Sequence, residues 1–161
     1  MRPLFIFEIG AERFAIALNA VREILPLPIL SCPPGAPSIL QGFLNLRGRA
    51  VPVVSPKRLF RLQDSPPGPY SHLVVLKREP TPLAIMVDRA VGTMEIPKDS
   101  IVPVARDHTF NDCLEGDASV GTQTAHILSV EKLLLKEERS RIADLQAMEQ
   151  ERLLRLREPS P

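Results

Sequence analysis

The placement of proline constrains the fold of this chain more than any other feature. Fifteen of its 17 Pro lie at or before Pro103, and none occurs from Val104 to Glu158. Each proline inside a helix removes a backbone N–H and clashes with the preceding turn. The first two thirds are therefore expected to be short strands and turns, and the end helical. The 161 residues are 44% apolar and 24% charged, an ordinary globular balance. Such a length buries roughly 70% of the surface exposed on unfolding, enough for a core without staples. Twenty Lys+Arg against 19 Asp+Glu leave a formal charge of +1. A general electrostatic grip on nucleic acid needs more uncompensated cations than that.

Leu4–Ile9 and Arg13–Leu18 read as strands joined by the short turn Gly10-Ala11-Glu12. Asn19 is expected to cap a brief helix, Ala20–Leu25, stopped by Pro26. Ser31–Ser38 is a Pro-rich loop. Ile39–Leu46 and Ala50–Val54 read as strands around Arg47-Gly48-Arg49, and Lys57–Leu62 as a short helix after Pro56. Gln63–Pro69 is a breaker cluster. His72–Arg78 and Leu83–Val87 form a second hairpin around Glu79-Pro80-Thr81-Pro82, followed by a strand over Val91–Ile96. Pro97–Asp107 reads as irregular, Phe110–Gly121 as ambiguous, Thr124–Val130 as a strand and Glu131–Glu158 as a long helix.

A weak internal repeat runs through this order. Phe14-Ala15-Ile16-Ala17-Leu18-Asn19 and Leu83-Ala84-Ile85-Met86-Val87-Asp88 are similar, and each is followed by Ala-Val and a later Ile. Ala50–Ser55 runs into Pro56–Phe60 much as Ala125–Val130 runs into Glu131–Leu135. The pattern fits either coincidence among similar strands or two related small β-barrels.

Glu131–Glu158 holds seven acids and seven bases, so one side of that helix must be solvated. Glu137–Arg141 and Glu151–Arg155 are i,i+4 pairs in the favourable order. Ile142, Leu145, Met148, Leu153 and Leu156 make a broken apolar stripe, too irregular for a coiled coil. The stripe suits a helix packing its first turns on the β-structure; docking to a partner or self-association is the other reading.

Catalytic and metal chemistry find little support. His72, His108 and His126 show no metal-ligand spacing, and no phosphate loop or nucleophile elbow occurs. No metal or cofactor is expected. His108 and Cys113 are near in sequence, but Asp107, Asp112, Glu115 and Asp117 surround that thiol and disfavour a reactive thiolate. Cys32 and Cys113 are too few for a disulfide framework. Met1–Phe7 is too short for a signal-peptide core and no apolar run spans a bilayer. A cytoplasmic location is expected, with no direct membrane insertion.

Arg47, Arg49, Lys57, Arg58 and Arg61 form a cluster without one acid among them. Arg47 is set apart by its place in a tight turn beside Gly48, where a guanidinium can fork onto a carboxylate or carbonyl.

The run Ile39-Leu40-Gln41-Gly42-Phe43-Leu44-Asn45-Leu46-Arg47-Gly48-Arg49-Ala50-Val51-Pro52-Val53-Val54 resembles the hallmark of the CheW family, the coupling proteins of bacterial chemotaxis. Phe14-Ala15-Ile16 with Val21-Arg22-Glu23-Ile24, Leu83–Asp88, and Ile127–Leu134 resemble further family segments in the same order. The resemblance covers roughly Leu4–Leu135. It implies a mainly β fold: two intertwined five-stranded SH3-like β-barrels with a long C-terminal α-helix. The implied division is a CheW-like domain over 1–135, its two subdomains at about 14–70 and 71–135 plus the N-terminal strand, and a helical extension and tail over 136–161.

The same resemblance implies a non-enzymatic adaptor that binds the regulatory domain of a CheA-type histidine kinase and the cytoplasmic tip of a chemoreceptor, at membrane-associated arrays. By match, the receptor-binding positions are Val21, Glu23, Ile24, Asn45, Leu46, Arg47 and Gly48. The kinase contacts follow no crisp motif and stay unassigned. The chain departs from the family in three ways: Ser55-Pro56 replaces an Asp-Leu, Asn111–Thr124 is markedly polar, and the last helix runs further than the fold needs. Two rival readings are a nucleic-acid-binding barrel using the Arg47–Arg61 cluster with Phe43 and Phe60, and a hydrolase using His108 and Cys113.

Overall fold

The structure is a computed structural model and describes residues 1–63, 66–78, 82–103, 113–134 and 136–157. Eleven strands and two α-helices occur among them in the order β1 (Arg2–Ile9), β2 (Glu12–Ala17), β3 (Val21–Pro26), β4 (Leu40–Leu46), β5 (Arg49–Val54), α1 (Pro56–Leu59), β6 (His72–Leu76), β7 (Leu83–Val87), β8 (Arg89–Ile96), β9 (Ile101–Pro103), β10 (Leu114–Val120), β11 (Gln123–Leu128) and α2 (Lys136–Arg157).

The strands form two sheets, ordered β8-β1-β2-β11-β10-β9 and β3-β6-β7-β5-β4. The fold is mainly β, as the family resemblance implies. The first sheet has six strands rather than five, because β9 adds to the edge of β10. Among the described residues, neither sheet closes into a barrel by a ladder between its end strands.

The repeat is real at the level of topology. The hairpin β1–β2 is followed by β3, which crosses to the other sheet and pairs with β6. The hairpin β6–β7 is followed by β8, which crosses back and pairs with β1. The two parallel pairings match as well: β5 lies beside β7, and β11 beside β2. Each sheet thus takes strands from both halves of the chain. The expected division near residue 70 falls between β5 and β6, two strands of one sheet.

Both faces of β1 are buried, because the exchange places apolar clusters on either side of it. Leu4 and Ile6 join Ala15, Ile96, Ala118, Val120, Ala125 and Ile127 in one cluster. Phe5, Phe7 and Ile9 point the other way, into the core between the sheets. There Phe5, Phe7, Phe14 and Phe60 stack in a row with centroid separations of 5.9, 6.2 and 5.8 Å. Each full burial of such a side chain stabilises by about 1.5–3 kcal/mol.

Three expectations need correction. Ala20–Leu25 is not a helix: a 3-10 turn over Leu18–Ala20 leads into β3. β-Branched Val21 and Ile24 suit a strand, and Pro26 is tolerated because β3 is an edge. The short helix is Pro56–Leu59, not Lys57–Leu62. Arg61 takes a left-handed φ of 56° and ends it, with Arg61 N–H donating to Arg58 O and Leu62 N–H to Lys57 O, a Schellman motif with arginine where glycine is usual. The polar segment after Asn111 contains a strand after all. In β10, Gly116, Ala118 and Val120 are buried while Glu115 and Ser119 are exposed, a period of two written in small residues.

The long helix begins at Lys136, after a 3-10 turn over Val130–Lys132. Ile142 enters the central core, and Leu145 packs with Leu40, Phe43 and Ala50 while Leu153 lies half-buried against them. Met148 and Leu156 of the stripe are exposed. The expected Glu151–Arg155 pair forms at 2.6 Å. The Glu137 side chain and the turn Glu79-Pro80-Thr81 lie outside the described residues.

Candidate functional site

The β4–β5 hairpin ends in a two-residue turn in which both central residues have positive φ, 51° at Arg47 and 86° at Gly48. That is the type I′ form, whose twist matches the flanking strands. Glycine takes it freely; arginine holds it at a cost of roughly 1–2 kcal/mol. Asn45 Oδ1 accepts the Gly48 N–H at 2.8 Å and fixes the turn. The Arg47 side chain is 76% exposed.

Arg47 Nη2 lies 3.4 Å from Glu23 Oε2. Glu23 is on β3 and Arg47 follows β4, the two edge strands of one five-stranded sheet. The sheet therefore curls until its edges nearly meet. Leu25 of β3 and Leu44 and Leu46 of β4 fill the inside of that curl, with Val51, Val53, Leu73, Val75 and Ala84. The ion pair spans the open seam outside it.

The seven sequence-matched positions accordingly divide by role. Glu23 and Arg47 meet directly. Asn45 and Gly48 shape the turn. Leu46 is half-buried in the curl, and Val21 packs against the central core. Ile24 is 39% exposed on β3. The exposed chemistry on offer is the Arg47 guanidinium with a carboxylate beside it, the Asn45 carboxamide and the aliphatic side chain of Ile24.

Two members of the basic cluster are engaged within the fold. Lys57 is buried at 7% exposure, and its Nζ sits 2.9 Å from Asp88 Oδ1. Arg58 donates to Ser38 O at 3.0 Å. Phe43 and Phe60 are 3% and 2% exposed, so neither can stack on a base. The nucleic-acid reading loses its stacking platform. The hydrolase reading loses an accessible nucleophile, because Cys113 is fully buried in the central core; His108 lies outside the described residues. Among the described residues no group of three or more His, Cys, Asp or Glu is placed to hold a metal ion, and no helix is long and apolar enough to cross a membrane.

A family model for the CheW-like domain matches residues 3–138. The chain belongs to the CheW-like domain family. Among relatives, it is 24% identical over 148 residues to chemotaxis protein CheW of Treponema pallidum (strain Nichols), covering 88% of this chain and 87% of that one. It is 26% identical over 132 residues to chemotaxis protein CheW of Helicobacter pylori, covering 81% and 80%. It is 26% identical over 136 residues to protein FrzA of Myxococcus xanthus, covering 83% and 85%. The crystal structure of the scaffolding protein TtCheW from Thermoanaerobacter tengcongensis superposes with a TM-score of 0.78 at 20% identity, over 85% of this chain and 90% of that one. That likeness establishes a CheW-like fold.

Two parts of the CheW-like structure escaped the sequence reading. Asp88, where the chain crosses from β7 to β8, accepts the Gly10 N–H at 2.6 Å and holds Lys57 on its other oxygen. Gln146 and Gln150 of α2 bond the backbone of Gly48 and Ala50. Their i,i+4 spacing puts them on one helix face, but nothing in the spacing names the strand they meet. Elsewhere in the fold, burial and the nearby Arg139 guanidinium lower the pKa of half-buried Arg78, with Glu131 opposing.

Proposed function

We propose that this CheW-like chain is a non-enzymatic chemotaxis adaptor that couples chemoreceptors to a CheA-type histidine kinase. Two of the relatives named above are chemotaxis proteins CheW, which supports the general role. The observation that carries the receptor assignment is Arg47, held in a strained turn inside the family's hallmark run and exposed beside Glu23. Strain of this kind persists where the surrounding structure enforces it and commonly marks a binding site.

The receptor surface in this reading comprises Val21, Glu23, Ile24, Asn45, Leu46, Arg47 and Gly48. Arg47 and Glu23 supply charge-assisted hydrogen bonds to a helical hairpin tip, and Ile24 supplies apolar contact. Asn45, Leu46, Val21 and Gly48 hold those groups in place. Binding receptor and kinase at once raises their mutual effective concentration. A small receptor rearrangement then biases the kinase between its states in proportion to its differential affinity. The kinase supplies the phosphoryl chemistry, and the adaptor reaches the membrane-associated array through its partners.

The test is direct binding with purified parts: a receptor cytoplasmic fragment and the kinase regulatory domain, each titrated with wild type and Arg47→Glu. Wild type should bind both, and the variant should lose receptor affinity alone. Binding of neither by wild type would remove this function.

A further inference from the structure

We propose that α2 is a splint for the Arg47-Gly48 turn, with Gln150 and Gln146 as its positioning residues; this rests on reading that turn as receptor-binding. Among the described residues, β7 pairs with β5 at Val53 and Val54. Nearer the turn, β5 meets α2 instead. The Gln150 carboxamide accepts the Ala50 N–H at 2.8 Å and donates to Gly48 O at 2.9 Å. Gln146 donates to Ala50 O at 3.1 Å. A carboxamide carries a donor and an acceptor as a peptide group does. Two glutamines one turn apart therefore stand in for a neighbouring strand.

The consequence for the turn is specific. Gly48 has its N–H taken by Asn45 and its C=O taken by Gln150. The turn is pinned from its own hairpin on one side and from a helix about 100 residues away on the other. That pinning is what a left-handed arginine needs, since its backbone preference opposes the conformation.

The helix is itself firmly seated. Ile142 and Leu145 are buried. Glu149, also buried, accepts from Ser31 Oγ at 3.1 Å, and Ser31 is bridged to Phe43 of β4 by two backbone hydrogen bonds. Arg141 donates to Gly35 O at 3.3 Å. Thus α2 holds the Pro-rich loop as well as β5. Gln146, Glu149 and Gln150 all lie beyond residues 3–138, the stretch matched by the family model. The splint is built from the helical extension, which gives that extension a task within this chain.

The experiment uses the full chain as wild type, Gln150→Ala, Gln146→Ala, Gln150→Glu and Arg47→Glu. Gln150→Glu keeps an acceptor for Ala50 N–H but loses the donor to Gly48 O. Amide hydrogen exchange by NMR reads the clamp; titration with a purified receptor tip fragment and with the kinase regulatory domain reads its effect. In Gln150→Ala, exchange at Ala50 should accelerate about tenfold or more while Val53 and Val54 keep their protection, as for a local opening. Receptor affinity should fall about three- to tenfold, because the two lost hydrogen bonds hold the turn and reach the receptor only through it. Kinase affinity should not change, which a general loss of folding would not allow. Gln150→Glu should keep more Ala50 protection than Gln150→Ala yet still lose receptor affinity. If Gln150→Ala does not fold, Gln150→Glu and Gln146→Ala, each of which keeps an acceptor for Ala50 N–H and frees one carbonyl of the clamp, carry the test through the loss of receptor affinity against unchanged kinase affinity. Unchanged exchange at Ala50 overturns the splint. Faster exchange with unchanged receptor affinity overturns its positioning role. If wild type binds no receptor fragment, the receptor reading fails and takes that role with it, while exchange still decides whether α2 clamps the turn.

Discussion

Arg47 and Glu23 meet at 3.4 Å although they sit on opposite edges of the same sheet. Their contact therefore reports the curl of the sheet. With Arg47 76% exposed, the pair itself contributes only about 0–1 kcal/mol. A double-mutant cycle with Glu23→Gln and Arg47→Gln should give a coupling energy below about 1 kcal/mol. A pair this weak can exchange partners with a bound helical hairpin at little cost. A coupling of several kcal/mol would instead mark a structural lock.

Arg47→Gly separates conformation from chemistry. Glycine relieves the left-handed φ of 51°, but it loses the ion pair and adds unfolded-state entropy. The net stability change should stay within about 1 kcal/mol. Receptor affinity should nevertheless fall as it does for Arg47→Glu. Full retention of affinity in the glycine variant would take the guanidinium out of the recognition.

Arg61→Gly is the matching control away from the proposed site. Arg61 closes α1 at φ 56°, a position that glycine usually fills. The substitution should stabilise the protein by about 0.5–1 kcal/mol, seen as a higher urea midpoint with unchanged slope. Receptor binding should not move.

Gly42 is required by close approach. It has φ 153°, and a Cβ there would lie 2.9 Å from Leu30 Cβ and 3.1 Å from Ser31 O. Gly42→Ala should cost about 1–3 kcal/mol in urea unfolding. The same change should push Ser31 away from Phe43 and from Glu149, weakening the hold of α2 on the Pro-rich loop. Loss of protection at the Phe43 amide would report it.

Lys57 and Asp88 differ in exposure, and that sets the order of their variants. The Lys57 side chain is 9% exposed and that of Asp88 33%. Asp88→Asn removes the carboxylate facing a buried ammonium and should cost about 2–4 kcal/mol. Lys57→Met puts an apolar chain in the same space and leaves Asp88 partly hydrated and still bonded to Gly10 N–H, so it should cost less, about 1–2 kcal/mol. Thermal unfolding of the two variants checks the order; the reverse order would mean that Asp88 depends on the ammonium more than the ammonium depends on it.

Much of the secondary structure is legible from local patterns. β1, β2, β4–β7 and the final helix follow from alternation, turn residues and the proline-free tail. β3 reads as a helix in sequence because Val21–Leu25 is too short for periodicity to decide, and its strand partner β6 lies about 50 residues away. β10 was obscure because Gly116 and Ala118 fill its buried positions, and small residues give little hydrophobic contrast. Within the candidate site, the residues matched by family resemblance include the two that meet across the seam. The glutamine clamp carried no signal beyond its i,i+4 spacing.

Where strands give way to helix is written locally, because proline and alternation act on neighbouring residues. The sequence also marks a tight turn at Arg47-Gly48-Arg49, but the two-residue form of that turn and its cap by Asn45 belong to the fold, where Arg49 pairs with Leu46 as the first residue of β5. Which distant groups hold that turn depends on the folded arrangement. Glu23 is 24 residues from Arg47, and Gln150 is 100 residues from Ala50. Contacts over such separations depend on strand exchange between the sheets and on where α2 is seated. Both are set by the burial of the shared core, not by any local preference of the residues that touch.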